Sequence, residues 1–155
     1  MEERNNTYQE NNKGGDQMKS LFKLGVIFIG LTIFGYAEVW GEDWKLYGSN
    51  DRVFGYYDTQ SITRPSQNVV RVWARWDYKE KGVLFMVGKF GKEYENLSYS
   101  KHFWEINCSE RKNRGLSLIN YDNKGNVIES TSSPSDWNYV TPESLAESLY
   151  KEVCK

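Results

Sequence analysis

The sequence predicts an α+β fold: a mostly antiparallel sheet of five or six strands, with a C-terminal helix packed on it and a second helix in mid-chain. Three observations lead to this expectation. Short segments rich in aromatic and β-branched residues alternate apolar with polar positions, which is the period-two pattern of half-buried strands. Turn residues separate these segments after a few positions, as in an antiparallel meander. Residues 141–155 repeat apolar side chains at helical spacing.

The beginning of the chain is set aside from the fold because it carries the pattern of an export signal. Two lysines precede the apolar run 24–34, and Gly35 and Ala37 place small residues at positions −3 and −1 of a signal-peptidase site. We therefore predict a signal peptide over residues 18–37, cleaved between Ala37 and Glu38. The alternative is a retained membrane anchor, but a spanning helix needs about 20 apolar residues, more than this run supplies.

Residues 1–17 come before Met18, the methionine at which a signal peptide would start. The stretch KGGDQ at 13–17 can be encoded as AAAGGAGGTGATCAA, which would place a ribosome-binding sequence directly ahead of the Met18 codon. We predict that Met1 is a misassigned start and that residues 1–17 are a disordered leader. A genuine polar extension is the alternative, and the nucleotide sequence distinguishes the two.

The remaining residues 38–155 are expected to form a single domain, because this length suffices for one hydrophobic core. The whole chain has 20 basic and 21 acidic side chains, and its net charge is −1. The leader and signal region contain equal numbers of each, so the balance is unchanged without them. A near-neutral chain gives no electrostatic reason to expect nucleic acid or an anionic membrane as a partner.

The only two cysteines, Cys108 and Cys154, both lie in the part expected to be exported. An even count in an oxidising compartment predicts one disulfide bond, worth about 4 kcal/mol by the chain-entropy estimate. A catalytic cysteine paired with His102, the sole histidine, is the alternative. Both the compartment and the ready supply of a second thiol disfavour it.

Residues 43–49 and 52–62 are predicted to form the first two strands. In the first, Trp44 and Leu46 fall on one face. The second is rich in aromatic and β-branched residues, and the turn cluster between the segments indicates a hairpin. Pro65 lies in the polar stretch that follows and is expected to break the chain there.

The clearest strand spans residues 69–78, VVRVWARWDY. Every second residue from Val70 is apolar, while the opposite face carries Arg71, Trp73 and Arg75. Trp73 has two interpretations. In the favoured one, a helix or neighbouring strand covers it, with the arginine stems packed alongside. In the other, the three side chains form a contact patch for a protein or a polyanion.

The middle of the chain predicts a helix over residues 82–95, because apolar side chains recur there at spacings of three and four. Strands are predicted over 100–110, 114–122 and 126–131, and the last two are joined by a hairpin turn ending at Gly125. The helical stripe consists of Val83, Leu84, Val87, Phe90 and Tyr94.

The C-terminal helix is predicted to begin at Thr141 as N-cap, with Pro142 in its first position and Glu143 in its first turn. Its apolar stripe should lie on the sheet, and the disulfide should then tie its end to the strand that leads to Cys108. The stripe consists of Leu145, Leu149 and Val153.

Motifs that would indicate enzymatic chemistry are missing from the sequence. It contains no phosphate-binding glycine loop, nucleophile elbow, HExxH, CxxC or EF-hand pattern, so no cofactor is predicted. A single histidine makes a protein-built zinc site improbable. Carboxylate pairs such as Asp122 and Glu129 occur in any chain of this composition and do not by themselves indicate a glycosidase.

Five segments follow one another in a recognisable order: DWKLYGSNDRVFGYYDTQSI, VVRVWARW, WEINCSERKNRGLSL, YDNKGNVI and PESLAESLYKEVCK. This ordered set resembles the bacterial surface-adhesin protein E family over essentially all of residues 38–155. The matching positions are Trp44, Tyr57, Asp58, Ser61, Ile62, Trp73, Glu105, Ile106, Asn107, Cys108, Gly125, Pro142, Glu143, Ser144 and Cys154.

The resemblance implies a small exported domain with an antiparallel sheet, a C-terminal helix and a disulfide between the two cysteines. It also implies that some members bind host extracellular proteins such as vitronectin, laminin and plasminogen, and it leaves a homodimer as an outcome to be tested. We therefore expect a non-enzymatic domain of the periplasm, the outer surface or the medium that binds an extracellular or envelope protein. An envelope structural or assembly protein without an external ligand is the alternative, and a small carboxylate-dependent hydrolase is a weaker one.

Overall fold

The computed structural model describes residues 41–155. The predicted leader, signal peptide and cleavage site at Ala37 and Glu38 lie outside them. Eight strands form one sheet in which every pairing is antiparallel, in the order β1-β2-β4-β5-β6-β7, with β3 beside β4 and β8 beside β6. The strands are β1 Trp44–Ser49, β2 Val53–Asp58, β3 Thr63–Ser66, β4 Val69–Tyr78, β5 Leu97–Asn107, β6 Lys112–Asp122, β7 Val127–Thr131 and β8 Asn138–Tyr139. The α-helices are α1 Glu80–Phe90 and α2 Leu145–Val153.

The α+β class and the antiparallel sheet are confirmed, and the two strands beyond the predicted count are both short. β8 has two residues, and β3 contains Pro65, which was expected to interrupt the chain. β3 pairs with β4 only at Thr63 and Ser66. A proline between these positions therefore takes no ladder hydrogen bond away, as is usual for proline in a strand that pairs on one side.

The hydrophobic core lies on one face of the sheet, which we call the helix face. Alternate side chains of β4, from Val70 to Ala74, are fully buried there, together with Ile106 of β5. Leu149 and Val153 of α2 pack against them and are also buried, as predicted. Burying a side chain of this size contributes about 1.5–3 kcal/mol, so this contact holds α2 on the sheet.

Helix α1 is shorter than predicted, and it packs closely on the rest of the domain at Gly82. It ends before Gly91, whose φ of 118° favours glycine, and a 3₁₀ turn at Lys92–Tyr94 follows. Gly82 is the buried residue of α1, because a Cβ there would lie 2.3 Å from the Arg52 carbonyl oxygen. Leu84, which the predicted stripe placed inside, is 64% exposed. The predicted stripe was wrong for Leu84 and for Phe90, which is also exposed, because the contact at Gly82 helps to orient this helix. Its other members are half-buried, as Val83 and Val87 are, or buried, as Tyr94 is.

Helix α2 begins at Ser144 rather than Thr141. The Ser144 hydroxyl accepts a hydrogen bond from the Glu147 amide at 3.2 Å, while Glu143 has a φ of 60° and lies outside the helix. Val140, which precedes the predicted cap Thr141, is buried, and its amide donates to the Arg111 carbonyl at 2.8 Å. Residues 141–143 turn the chain from this contact into the helix. The N-cap is therefore Ser144 and not Thr141.

The structure links Cys108 and Cys154 by a disulfide, as predicted. Their Cα atoms are 5.6 Å apart, within the usual range. Cys108 follows the last residue of β5, and Cys154 is the C-cap of α2. The Tyr150 hydroxyl donates to the Cys108 carbonyl at 2.8 Å, and Arg64 donates to the Val153 carbonyl at 3.1 Å. The end of α2 is therefore held at three points.

Candidate functional site

The face of the sheet opposite the helices, here called the open face, carries Arg71, Trp73 and Arg75. Because side chains alternate along β4, these three point away from the buried Val72 and Ala74. Helix α2 packs on the other face through Leu149 and Val153, and α1 contacts Tyr78 there through Gly82. Neither helix of residues 41–155 covers the open face, so the predicted trio lies together on a surface with no helix above it.

Trp73 is half-buried by its neighbours within the sheet rather than by a helix. It pairs across strands with Phe103 of β5, and the two rings stack with centroids 4.9 Å apart and planes 19° from parallel. Its backbone amide donates to the Ser61 hydroxyl at 2.9 Å. Of the two interpretations of Trp73, the structure supports cover from a neighbouring strand while leaving part of the ring on the surface.

Arg71 belongs to an Arg–Glu–Arg group that joins three strands. Its Nε donates to Glu105 Oε1 at 2.7 Å, and Arg114 Nε donates to the other carboxylate oxygen at 2.7 Å. Burial by itself raises the pKa of Glu105, but the hydrogen bonds from Arg71 and Arg114 outweigh it and hold this pKa below its ordinary value. The carboxylate therefore stays ionised and fixes both guanidinium groups on the open face.

Arg75 is fixed in a second way. Its Nε donates to Asp77 Oδ1 at 2.6 Å, and its guanidinium carbon lies 4.3 Å from the centroid of the Tyr99 ring. Tyr99 stacks on Tyr121 with centroids 4.7 Å apart. The Arg75 side chain thus lies against an aromatic pair, where a cation–π contact is worth about 0.5–2 kcal/mol.

Two further cation–aromatic contacts extend this arrangement to both ends of the open face. Lys101 lies 5.6 Å from the ring of Trp44, and Arg114 lies 4.6 Å from that of Trp137. The Lys101 ammonium also pairs with Glu42. Four cations and three carboxylates take part in these contacts on the open face. The cations are Arg71, Arg75, Lys101 and Arg114, and the carboxylates are Glu42, Asp77 and Glu105.

Sequence patterns identified only one strand of this face. Phe103, Glu105 and Tyr99 alternate in β5 in the same way as the trio in β4, and this was the available signal. Which of them faces Trp73 depends on the strand register, which alternation does not determine. The register places Phe103 opposite Trp73 and Glu105 opposite Arg71.

The side chains considered for catalysis have structural partners. Cys108 has no free thiol because it is bonded to Cys154. Asp122 accepts hydrogen bonds from the Lys124 and Asn126 amides in the turn before β7, and Glu129 accepts one from the Tyr94 hydroxyl. Within residues 41–155, no three histidine, cysteine or carboxylate side chains lie close enough together to hold a metal ion.

These features define a small α+β domain in which a disulfide ties the C-terminal helix to an antiparallel sheet and one sheet face has no helix over it. The profile of the surface-adhesin protein E family matches residues 44–155, and the chain belongs to that family. No curated protein matches the sequence. No helix within residues 41–155 is long and apolar enough to cross a membrane.

Two solved structures of Haemophilus influenzae protein E are similar to this chain. Crystal form II shares 14% sequence identity, with a TM-score of 0.47, and the match covers 74% of this chain and 95% of that one. The selenomethionine form shares 13% identity, with a TM-score of 0.46, and the match covers 73% and 93% of the two chains.

Proposed function

We propose that this chain is an exported, non-enzymatic surface adhesin that binds an extracellular or envelope protein through its open face. The observation that carries the proposal is the Trp73–Phe103 stack, which lies between the held guanidinium groups of Arg71 and Arg75 with no helix of residues 41–155 above it. Export relies on the signal peptide expected at residues 18–37, with cleavage after Ala37.

The chemistry of the open face suits protein recognition. Tryptophan, tyrosine and arginine are the residues that most often dominate binding energy at protein interfaces. Each arginine uses its Nε on a carboxylate and keeps other N–H donors for a partner. Because the carboxylates already hold these side chains in place, binding loses less side-chain entropy than it would with free arginines.

The charge of the face indicates the kind of partner surface. Guanidinium groups next to aromatic rings are complementary to a surface that presents carboxylates around an apolar patch. This complementarity mainly accelerates association and excludes basic partners. We therefore expect the association rate to fall as salt rises.

Two experiments test this proposal. In the first, intact cells expressing the full chain are treated with protease, and loss of the protein shows that it is reachable from outside. In the second, the exported protein is passed over immobilised vitronectin, laminin and plasminogen, the host proteins that the family resemblance implies. Arg75→Ala should weaken any binding that occurs, while Lys151→Ala, which removes an exposed cation from α2, should not.

The outcomes separate the alternatives. A protein that is protected in intact cells and binds none of the three partners has an envelope role without an external ligand. Equal binding by the Arg75→Ala and Lys151→Ala variants would locate the contact away from the open face. Self-association that Arg75→Ala abolishes would instead identify the partner as a second copy of the chain.

A further inference from the structure

A cavity of about 520 Å³ lies on the helix face, between the sheet and the beginning of α2. Four aromatic side chains from the sheet line it, Tyr47, Trp76, Trp104 and Tyr139, and Leu145 and Ser148 of α2 line it from the helix. This volume is within the 300–1,000 Å³ that is usual for small-molecule sites. The cavity is separated from the open face by the thickness of the sheet, so the inference below does not depend on the proposed adhesin function.

Gly55 allows the ring of Tyr47, one of the lining residues, to pack closely on strand β2. A Cβ on Gly55 would lie 2.7 Å from the Tyr47 ring, so the missing side chain lets Tyr47 lie across β2. The Tyr47 hydroxyl then accepts a hydrogen bond from Trp76 Nε1 at 2.6 Å. Because it accepts this bond, the hydroxyl keeps its own proton to donate. Burial raises the pKa of Tyr47 to about 12, so the phenol remains protonated.

Trp104 contributes a second donor beside the cavity. Its indole Nε1 is buried and has no acceptor among residues 41–155. A buried N–H group without an acceptor costs about 1–3 kcal/mol, and such groups are uncommon in native proteins. An oxygen of a bound molecule would supply the missing acceptor.

The remaining lining combines apolar groups of Ala146 and Leu149 with polar groups that are nearly all uncharged. Asparagine amides and serine or threonine hydroxyls surround the aromatic rings, Glu143 is the single ionisable carboxylate, and no lysine or arginine takes part. An anionic ligand would therefore find no cation, and a purely aliphatic one would leave the buried Trp104 N–H without an acceptor. The amides and hydroxyls are those of Asn50, Asn113, Asn138, Ser49, Thr141, Ser144 and Ser148.

We infer that this cavity binds a neutral saccharide of one or two sugar units. The apolar C–H face of a pyranose ring packs on the Trp76 and Trp104 indoles, as aromatic rings favour. The sugar hydroxyls accept from the Tyr47 hydroxyl and exchange hydrogen bonds with the amide of Asn113. The site is thus suited to a neutral glycan of an envelope or cell surface.

The test uses ¹⁵N-labelled exported protein and three neutral probes: cellobiose, maltose and N,N′-diacetylchitobiose. At least one probe should shift the indole N–H signals of Trp76 and Trp104 in a saturable manner, with a dissociation constant in the millimolar range. The signals of Trp73 on the open face and of Trp137 should stay in place. Digalacturonate, which carries two negative charges, should cause no shift.

Two variants locate the effect. Trp104→Phe should weaken the best probe by about tenfold, because it removes the indole donor and part of the stacking surface. Trp137→Phe is the matched control, since Trp137 packs on Arg114 away from the cavity, and it should leave affinity unchanged. If Trp104→Phe lowers the melting temperature, Asn113→Ala serves as a second variant, and it should also weaken binding of the best probe. The absence of saturable shifts from all three neutral probes, or equal shifts at Trp137, would overturn the inference.

Discussion

Arg71 and Glu105 face each other across β4 and β5, with Nε and Oε1 2.7 Å apart, and Glu105 is buried to 3% exposure although it lies on the open face. Arg114 covers the other side of the same carboxylate. A buried carboxylate is tolerated here because two guanidinium groups compensate for its lost hydration. The ion pair therefore links fold stability to the arrangement of the proposed binding face.

Glu105→Gln should lower the free energy of unfolding by about 1–2 kcal/mol. The cost of breaking a buried pair is reduced here, since both arginines remain partly in solvent. Denaturant titration at neutral pH measures the change. Glu110→Gln is the matched control, because Glu110 pairs with Lys112 at the surface, and it should leave stability nearly unchanged. Equal effects of the two substitutions would contradict this account of Glu105.

Reducing the disulfide between Cys108 and Cys154 should lower stability by about 2–4 kcal/mol without abolishing the sheet. The remaining contacts of α2 explain the partial loss, since Leu149 and Val153 stay buried and Arg64 still binds the helix end. Melting curves with and without reductant measure the difference, and far-ultraviolet circular dichroism reports the sheet. Complete unfolding at room temperature, or an unchanged melting temperature, would contradict it.

His102 should make the protein less stable as pH falls below neutrality. It is buried between Trp76 and Trp104, and burial lowers its pKa from 6.5 to about 3. The folded protein therefore keeps the ring neutral while the unfolded chain takes up a proton. The stabilising contribution of neutral His102 is complete above pH 6.5 and is lost as pH falls towards 3. The free energy of unfolding then falls by up to about 1.4 kcal/mol per pH unit.

The effect of His102, the sole histidine, on stability can be distinguished from that of the carboxylates because the two occur over different pH ranges. Between pH 6.5 and about 5, few carboxylates titrate, so a slope in unfolding free energy there belongs to His102. His102→Gln should remove this slope while keeping a polar group near Ser100, whose hydroxyl lies 2.7 Å from the ring. A slope that persists in the variant would show that another group is responsible.

The glycines of α1 should respond to alanine in opposite directions. Gly88→Ala should raise stability by about 0.5–1 kcal/mol, because no atom lies within 4 Å of the added methyl group and alanine favours the helix. Gly82→Ala should lower it by about 1–3 kcal/mol, since its methyl group would meet the Arg52 carbonyl. Thermal melting of both variants gives the two signs. A stabilising Gly82→Ala would mean that α1 does not pack as described.

Period-two alternation made much of the sheet predictable from sequence. β4 has the predicted bounds, and its buried and open faces follow directly from the order of Val72, Trp73 and Ala74. The disulfide was predictable for a different reason, since a chain with two cysteines has one intramolecular pairing available. Alternation along a strand is a local pattern, and the disulfide follows from the number of cysteines. Neither prediction requires knowledge of the tertiary contacts.

Features that depend on tertiary contacts were not predictable in the same way. Thr141 and Ser144 are both good N-caps, and the buried Val140 decided between them. Apolar spacing placed Leu84 inside, but the contact of Gly82 with the Arg52 carbonyl turned α1 away from that orientation. Phe103 and Glu105 of the open face were missed for the same reason, because they come from a strand whose register no local pattern specifies.

The most direct test of the central claim is to measure stability and partner binding of Trp73→Ala on the same preparation of exported protein. The half-buried Trp73–Phe103 stack should contribute about 1–2 kcal/mol to folding, below the 3–5 kcal/mol of a core tryptophan. Binding to whichever of the immobilised proteins vitronectin, laminin and plasminogen retains the unaltered protein should fall by at least about tenfold while the domain stays folded. Unchanged binding, or a stability loss of core size that unfolds the domain, would contradict the assignment of the open face as the adhesive surface.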